Sequence, residues 1–462
     1  MPDTVTQSQA APLVTFRPPA KTPSLFEQIR IARENGMATI PVGAYQNLFF
    51  PMAKNNKVVV LSDPAGVKHV LLDNVANYPK TPSDAPFLSA AFGDGLLTLE
   101  GEKWKAHRRL MSPSFDHRSI VSYAPGMVEA TRHFVESWDQ RGPGAEIDIA
   151  EAMTELTLKI ITRAMFSSDS GGITELFGKT FDEGLKEMEF GLADILPIIG
   201  PRHLQGRIKK IRAVFSRLDS AVYKLIDERV KAGGEGKADL LGRLIAARDV
   251  ETGAALTNQE IRDEMVIIFI AGHETTAVAM TFAFYILSQR PEVEARLHEE
   301  LDRVLGGRMP VYDDLANLPY TRQVIDETMR LYPPAPGLSG RQAQADDEVC
   351  GQKIPKGAQM FIAPWIIHHH EKLWENPYEF DPDRFTADKV KARPRFAHMP
   401  FGGGPRVCIG ASLAMTEACL ILATIAQRYR LALVPNQQIS IRSRITLRPH
   451  PGIRMTLSRR GS

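Results

Sequence analysis

Apolar residues recur at intervals of three and four through most of the span from about residue 100 to about 335, the spacing of helices that bury one face. The pattern predicts helices over Ile149–Phe166, Ile208–Val230, Asn258–Arg290 and Pro291–Leu305. The last opens on proline at its first position, where a missing N–H is no loss, and closes on Gly306-Gly307. Earlier, Lys57–Leu61 is a short β-branched run that predicts a strand, and Asp63-Pro64 starts a helix continued by Val67–Leu72. Residues 339–365 change character, with Val349, Ile354, Pro355-Lys356-Gly357 and Met360-Phe361-Ile362 suggesting short strands and tight turns. Residues 375–407 have little periodicity, a helix resumes at about Ile409–Arg428, and a strand-rich tail follows from about 430.

Residues 1–24 are rich in Pro, Thr and Ser and are expected to be a flexible leader. No repeat or low-complexity linker interrupts residues 25–455. The expectation is one large, mainly α unit with a minor β region over 25–462, although a length of 462 would ordinarily suggest two to four domains. The long apolar stretch Met265–Leu287 is broken midway by His273-Glu274-Thr275-Thr276. That favours a buried core helix over a membrane span and demands a reason for the polar quartet.

Hydrophobic residues at 44% and charged residues at 24% are ordinary globular values. Lys+Arg of 56 against Asp+Glu of 54 leaves +2, too balanced for binding nucleic acid by bulk charge. The N-terminal MPDTVTQSQAAPLVTFRPP lacks the basic-then-apolar order of a signal peptide. Three cysteines, Cys350, Cys408 and Cys419, cannot build a disulfide framework in so large a chain and suit a reducing cytoplasm.

The chemistry concentrates in Phe401-Gly402-Gly403-Gly404-Pro405-Arg406-Val407-Cys408-Ile409-Gly410. Three glycines and a proline make a constrained loop that lets backbone N–H groups approach a ligand. Cys408 then stands just before a helix N-terminus, which is expected to lower its pKa and favour thiolate. A single cysteine with no paired Cys-x-x-Cys excludes a zinc knuckle and covalently attached haem. One thiolate ligand points instead to haem iron with an axial cysteine. Cys350 and Cys419 have no such surroundings and are expected to be inert.

The decapeptide resembles the haem-ligand signature of the cytochrome P450 monooxygenases, Phe-x-x-Gly-x-Arg-x-Cys-x-Gly, at every fixed position. From this chain's composition, its Phe, two Gly and Cys would fall at that spacing by chance with a probability of about 10⁻³. The resemblance extends from about Phe16 to the end and implies a single large haem–thiolate P450 fold binding haem b. Phe401, Arg406, Cys408 and Gly410 would contact the cofactor, with Cys408 on the metal. Glu327 and Arg330, at i and i+3 of one helix, would recruit Arg384 into a structural network around the cysteine loop. Trp104 and Arg108, at i and i+4, would bind a haem propionate together with Arg341 and Arg406. His107 and Arg109 would face solvent or a partner. Ala271 and Gly272 would leave room for the cofactor and dioxygen, and Thr275 would bond the Ala271 carbonyl and open a local groove. Glu274 and Thr275 would be the acid–alcohol pair that delivers protons for O–O cleavage, with His273 turned away. The run His368-His369-His370 cannot point three rings at one ion from a regular element and is not expected to bind metal.

The resemblance further implies O₂ as a reactant, with electrons coming from a separate carrier, a ferredoxin with its reductase or else a flavodoxin, since the haem domain takes up the whole sequence. Lys103, Lys105, Arg108 and Arg109 would form a basic docking patch. Expected pocket residues are Phe87, Leu88, Phe92 and Leu96, then Ala335 and Leu338, with Phe190-Gly191, Ile195–Ile199 and the tail near Ile445 nearby. Their apolar character predicts a hydrophobic small-molecule substrate. A haem–thiolate peroxygenase or isomerase, needing no reductase, is the alternative; a haem-based sensor would waste the proton-delivery pair.

Overall fold

The long apolar segment becomes the axis of the structure. Thr257 and Glu260 cap it reciprocally, each side chain accepting from the other's backbone N–H, and the helix then runs unbroken over Asn258–Gln289. This core helix packs against the helices Ile149–Phe166, Pro319–Leu331 and Ala411–Ala426. Among the described residues it is the one helix long and apolar enough to cross a membrane, but 83% of its apolar window is buried inside the protein. The computed structural model describes residues 12–461 except 83–84, 143, 168–171, 188–199, 234–238 and 444.

The remaining architecture is mainly helical, with a minor β portion. A four-stranded sheet has the order Phe49–Pro51, Val58–Leu61, Gln359–Phe361, Arg341–Gln342, its central pair parallel with Val59 opposite Met360. Three further strands, Glu146–Asp148, Arg454–Arg459 and Tyr429–Leu433, bring the tail back against the start of the helix Ile149–Phe166. The hairpins Asp347–Val349/Gln352–Ile354 and Ser440–Ser443/Leu447–His450 complete the strand pairs among the described residues.

Helices Ile149–Phe166 and Pro291–Leu305 form as their patterns predict, the latter stopped by left-handed Gly306. The single helix expected over Ile208–Val230 is instead two, Gly200–Phe215 and Asp219–Lys231, joined by a 3₁₀ turn at Ser216–Leu218. Ser216 turns its hydroxyl onto the Ala213 carbonyl, and Asp219 pairs with Arg262 of the core helix at 2.7 Å. Side-chain competition and a tertiary ion pair thus outweigh a continuous apolar period. Within 375–407 a short helix, Ala387–Ala392, also forms; under two turns, it is too short to show a period.

The leader is not loose throughout. Leu13 is buried, Phe16 stacks on Trp365 with ring centroids 4.6 Å apart, and Val14 bridges two core phenols. Its N–H donates to Tyr285 Oη at 3.1 Å, and Tyr332 Oη donates to its carbonyl at 2.7 Å. Residues 1–11 lie outside the described set.

Glu327, Arg330 and Arg384 come together. Arg330 makes a bidentate pair with Glu327 at 2.6 and 2.8 Å, both side chains fully buried, and Arg384 Nε lies 3.3 Å from Glu327 Oε1. The other Arg330 donors bond the carbonyls of His368, Pro377 and Glu379 at 2.7–2.9 Å. One guanidinium therefore fastens an irregular segment whose own sequence has no periodicity to hold it. The three consecutive histidines are buried beside it and diverge. His368 Nε2 accepts from Met399 N–H, His369 Nδ1 faces the Trp365 carbonyl, and His370 Nδ1 accepts from Lys372 N–H. Among the described residues no group of three or more metal-ligating side chains is assembled.

Two outcomes are expected. Arg330→Ala leaves Glu327 buried without its countercharge and should lower unfolding stability by about 3–5 kcal/mol in denaturant titrations; a loss below about 1 kcal/mol would show the pair is dispensable. Burial, then the nearby Arg330, pulls His369 down to about 3, and burial with Arg393 and Arg330 does the same to His398. A base whose folded pKa is depressed binds its proton only on unfolding, so its contribution is complete above about pH 6.5 and drains away as pH falls toward 3. The urea midpoint should drop between pH 7 and pH 5, and drop less in His369→Gln; equal drops would refute this origin.

Candidate active site

The cysteine loop is shaped by close approach. Gly404 has φ +70°, and a Cβ there would lie 1.8 Å from the Leu71 carbonyl oxygen, so no other residue fits. Cys408 N–H donates to the Phe401 carbonyl at 2.9 Å, and Gly410 caps the helix Ala411–Ala426. Cys408 therefore stands two residues outside the helix cap, accessible to solvent, with the Gly410 N–H turned to its sulfur. The lowered thiol pKa expected from the helix end is not what the site produces. Although the side chain meets solvent, the protein packed around it desolvates the sulfur and raises its pKa, and neither the Gly410 N–H nor the nearby Arg108 charge offsets that. A thiolate here needs a further positive charge at the sulfur itself, as a metal ion supplies. Cys350, pushed up to about 11, and buried Cys419, pushed up to about 12, stay thiols.

The expected propionate ligands gather around the same loop. Arg406 lies over the Trp104 ring, 4.2 Å from its centroid, and pairs with Glu100 at 2.8 Å. Trp104 thus faces Arg406, and Glu100 is a member of the cluster that the sequence did not reveal. Arg108 Nη1 donates to the Val407 carbonyl at 3.0 Å, next to Cys408. Arg341 is buried, and burial followed by repulsion from Arg406 pulls its pKa down. Arg341 Nε and Arg406 Nη1 are buried without a hydrogen-bond partner among the described residues. Two crowded guanidiniums with orphaned donors fit a dianionic cofactor, since buried cationic donors are otherwise costly. Haem, with two carboxylates and an iron for Cys408, matches this donor set.

On the core helix, Ala271, Gly272 and Thr275 are accessible in the middle of an otherwise buried element. Thr275 Oγ1 donates to the Ala271 carbonyl at 2.8 Å as expected, within a helix that continues to Gln289. Gly272 is also closely packed, since a Cβ there would meet Ile161 Cδ1 at 2.9 Å. His273 is buried and turned away, its Nδ1 2.8 Å from the Phe269 carbonyl and its ring edge-on to Phe181. Glu274 is held by Arg448 through both oxygens and by Thr446 Oγ1 at 2.9 Å. No hydrogen bond joins it to Thr275 among the described residues, so the acid and the alcohol stand side by side with separate partners. Thr446 and Arg448 sit in the tail, where nothing in the local sequence signals their role.

The helix Gly101–Met111 differs from expectation on two faces. His107 is buried, not solvent-facing, with Nδ1 2.7 Å from Glu264 and Nε2 3.4 Å from Glu260. Burial depresses its pKa, but the two carboxylates more than reverse that and raise it. Arg109 is paired with Asp249 at 2.9 Å and Glu251 at 3.1 Å, and Lys105 with Glu102 at 2.7 Å. These acids, distant in sequence for Arg109, neutralise part of the expected basic patch. Of the expected pocket, Phe92 is core, buried edge-to-face on Phe215 at 5.5 Å. Leu88, Leu96 and Ala335 are half-buried, and Leu338 lies beside Gly402 of the cysteine loop. The Phe87 side chain, Phe190-Gly191 and Ile195–Ile199 lie outside the described residues.

The sequence profile described as Cytochrome P450 matches residues 43–456. "Cyclooctatin synthase" of Streptomyces melanosporofaciens is 36% identical over 367 residues, covering 78% of this chain and 77% of that protein. "Cyclooctat-9-en-7-ol 5-monooxygenase" of the same organism is also 36% identical, covering 74% of each chain. Among solved structures, the cytochrome P450DA heme domain superposes with a TM-score of 0.79 at 28% identity, covering 87% of both chains. Profile, relatives, fold and the cysteine loop agree, and the chain belongs to the cytochrome P450 family.

Proposed function

We propose that this protein is a monooxygenase that holds haem b through Cys408 and uses O₂ to hydroxylate, or otherwise oxidise, a hydrophobic small molecule. The observation that carries this reading is the accessible Cys408 thiol after a loop that admits only glycine at 404, set beside Arg341 and Arg406, each with a buried donor lacking a partner. Arg341 and Arg406 would bind the propionates, with Trp104 bracing Arg406 and Arg108 steadying the loop at Val407. Haem bound there supplies activation of dioxygen and oxygen transfer to a C–H bond.

The chain's own residues then manage protons and water. Thr275 spends its hydroxyl hydrogen on the Ala271 carbonyl and so presents an acceptor lone pair to the accessible side of the helix. It anchors the hydrogen of a water or reactant there, and donates only by turning from Ala271. Glu274 can hand on a proton only after leaving Arg448, whose side chain is 40% exposed and reaches solvent. The half-buried apolar residues Leu88, Leu96, Ala335 and Leu338 support a lipophilic substrate, and a relative named for acting on cyclooctat-9-en-7-ol fits a cyclic alkenol. Electrons come from a separate ferredoxin with its reductase, or from a flavodoxin, for which exposed Lys103 offers the remaining basic surface of the expected patch. Three free thiols go with a cytoplasmic location.

Cys408→Ala should abolish the red-shifted Soret band of the reduced CO complex; survival of that band would remove Cys408 as the ligand. Thr275→Ala should retain haem and ligand binding while diverting most reducing equivalents to peroxide. Tightly coupled product formation in that variant would place the proton route elsewhere, and turnover on peroxide alone, indifferent to electron carriers, would favour a peroxygenase.

A further inference from the structure

Two consecutive buried acids of the core helix grip the backbone of the loop that joins helices Ala85–Phe92 and Gly101–Met111. Asp263 Oδ2 accepts from the Asp94 N–H at 3.0 Å, and Glu264 accepts from the Leu96 N–H with both oxygens, at 3.0 and 3.2 Å. The contact is close enough to dictate glycine. A Cβ on Gly93 would lie 2.1 Å from Asp263 Oδ1, and one on Gly95 would lie 2.9 Å from Glu264 Cδ and 2.7 Å from Ile267 Cδ1.

Each acid is itself fixed from behind. Gln259 and Arg262 donate to Asp263 at 2.9 and 2.8 Å, and His107 Nδ1 lies 2.7 Å from Glu264 Oε1. The loop is stiff, with Thr98 N–H and Leu99 N–H bonded to the Gly95 carbonyl, and Lys80 Nζ bonded to the Leu97 carbonyl. It is therefore attached as one piece at two points. Hydrogen bonds from N–H to a buried carboxylate are the strong kind, and opening them would deprive each acid of its loop donor.

The position of this attachment gives it a role. Residues seven and eleven apart share one stripe of a helix, so Glu264, Ala271 and Thr275 lie on the same face, with Glu264 about 10 Å along the axis from Ala271. Leu96 is thereby held over the stripe that carries the accessible residues of the candidate site.

We infer that Asp263 and Glu264 are positioning residues that clasp the Gly93–Thr98 loop onto the core helix, and that this clasp governs the entry and exit of large molecules over Leu96. The inference rests on reading the accessible helix face at Ala271 and Thr275 as the substrate site. The test uses the ferric holoenzyme, with amide exchange across residues 93–98 and stopped-flow Soret shifts for imidazole and for bulky clotrimazole. In Glu264→Ala, exchange at the Leu96 amide should rise about tenfold and clotrimazole association at least about fivefold, with imidazole within about twofold. Gly95→Ala attacks the same contact from the loop side and should give the same pattern even if Glu264→Ala fails to fold. Glu264→Gln, which keeps an acceptor, should stay near the unaltered protein. Unchanged exchange in Gly95→Ala overturns the clasp; raised exchange without faster clotrimazole binding, or equal acceleration of imidazole, overturns its control of entry. If clotrimazole gives no Soret shift in the unaltered protein, the reading of the Ala271–Thr275 face as the substrate site falls and the control of entry with it, while the exchange result still decides whether the clasp exists.

Discussion

The side chain on which the site most depends does not touch it. Arg330 is fully buried, meets Glu327 in a two-point pair, and spends its remaining donors on three carbonyls between His368 and Glu379. A buried ion pair is a poor source of net stability, because desolvation offsets most of the attraction. Its value here is geometric. Residues 369–385 lack regular structure apart from short turns, and irregular backbone inside a protein needs donors for its carbonyls. The guanidinium supplies them at fixed angles, and Met399, close before the cysteine loop, is fastened in turn to His368.

Much of this architecture was readable from the chain, for identifiable reasons. The helices Ile149–Phe166 and Pro291–Leu305 have a clear period and strong end signals, and they form where expected. The cysteine loop was legible because three glycines, a proline, an arginine and a cysteine at fixed spacing leave few alternatives. The Thr275 bond to Ala271 followed from a hydroxyl one turn past a carbonyl in an apolar helix.

What was hidden is what depends on distant partners. His107 looked like a surface residue because its helix is amphipathic and polar, but two acids some 150 residues away bury it. Glu274 looked like one half of a local pair, and the tail hairpin claims it through Arg448. In both cases the partner lies far away in the chain, and period and spacing describe one element at a time.

The docking of Val14 has a practical corollary. The family profile begins at residue 43, well after the point where the polypeptide first becomes part of the core. Tyr285 and Tyr332 are both buried, and each phenol satisfies its oxygen on the Val14 backbone. A protein trimmed to the homology boundary would keep every recognisable motif yet expose an apolar groove on Trp365 and leave two interior hydroxyls without mates, each at a penalty of about 1–3 kcal/mol. Evolutionary borders and physical borders are different lines on this molecule, and expression work should follow the second.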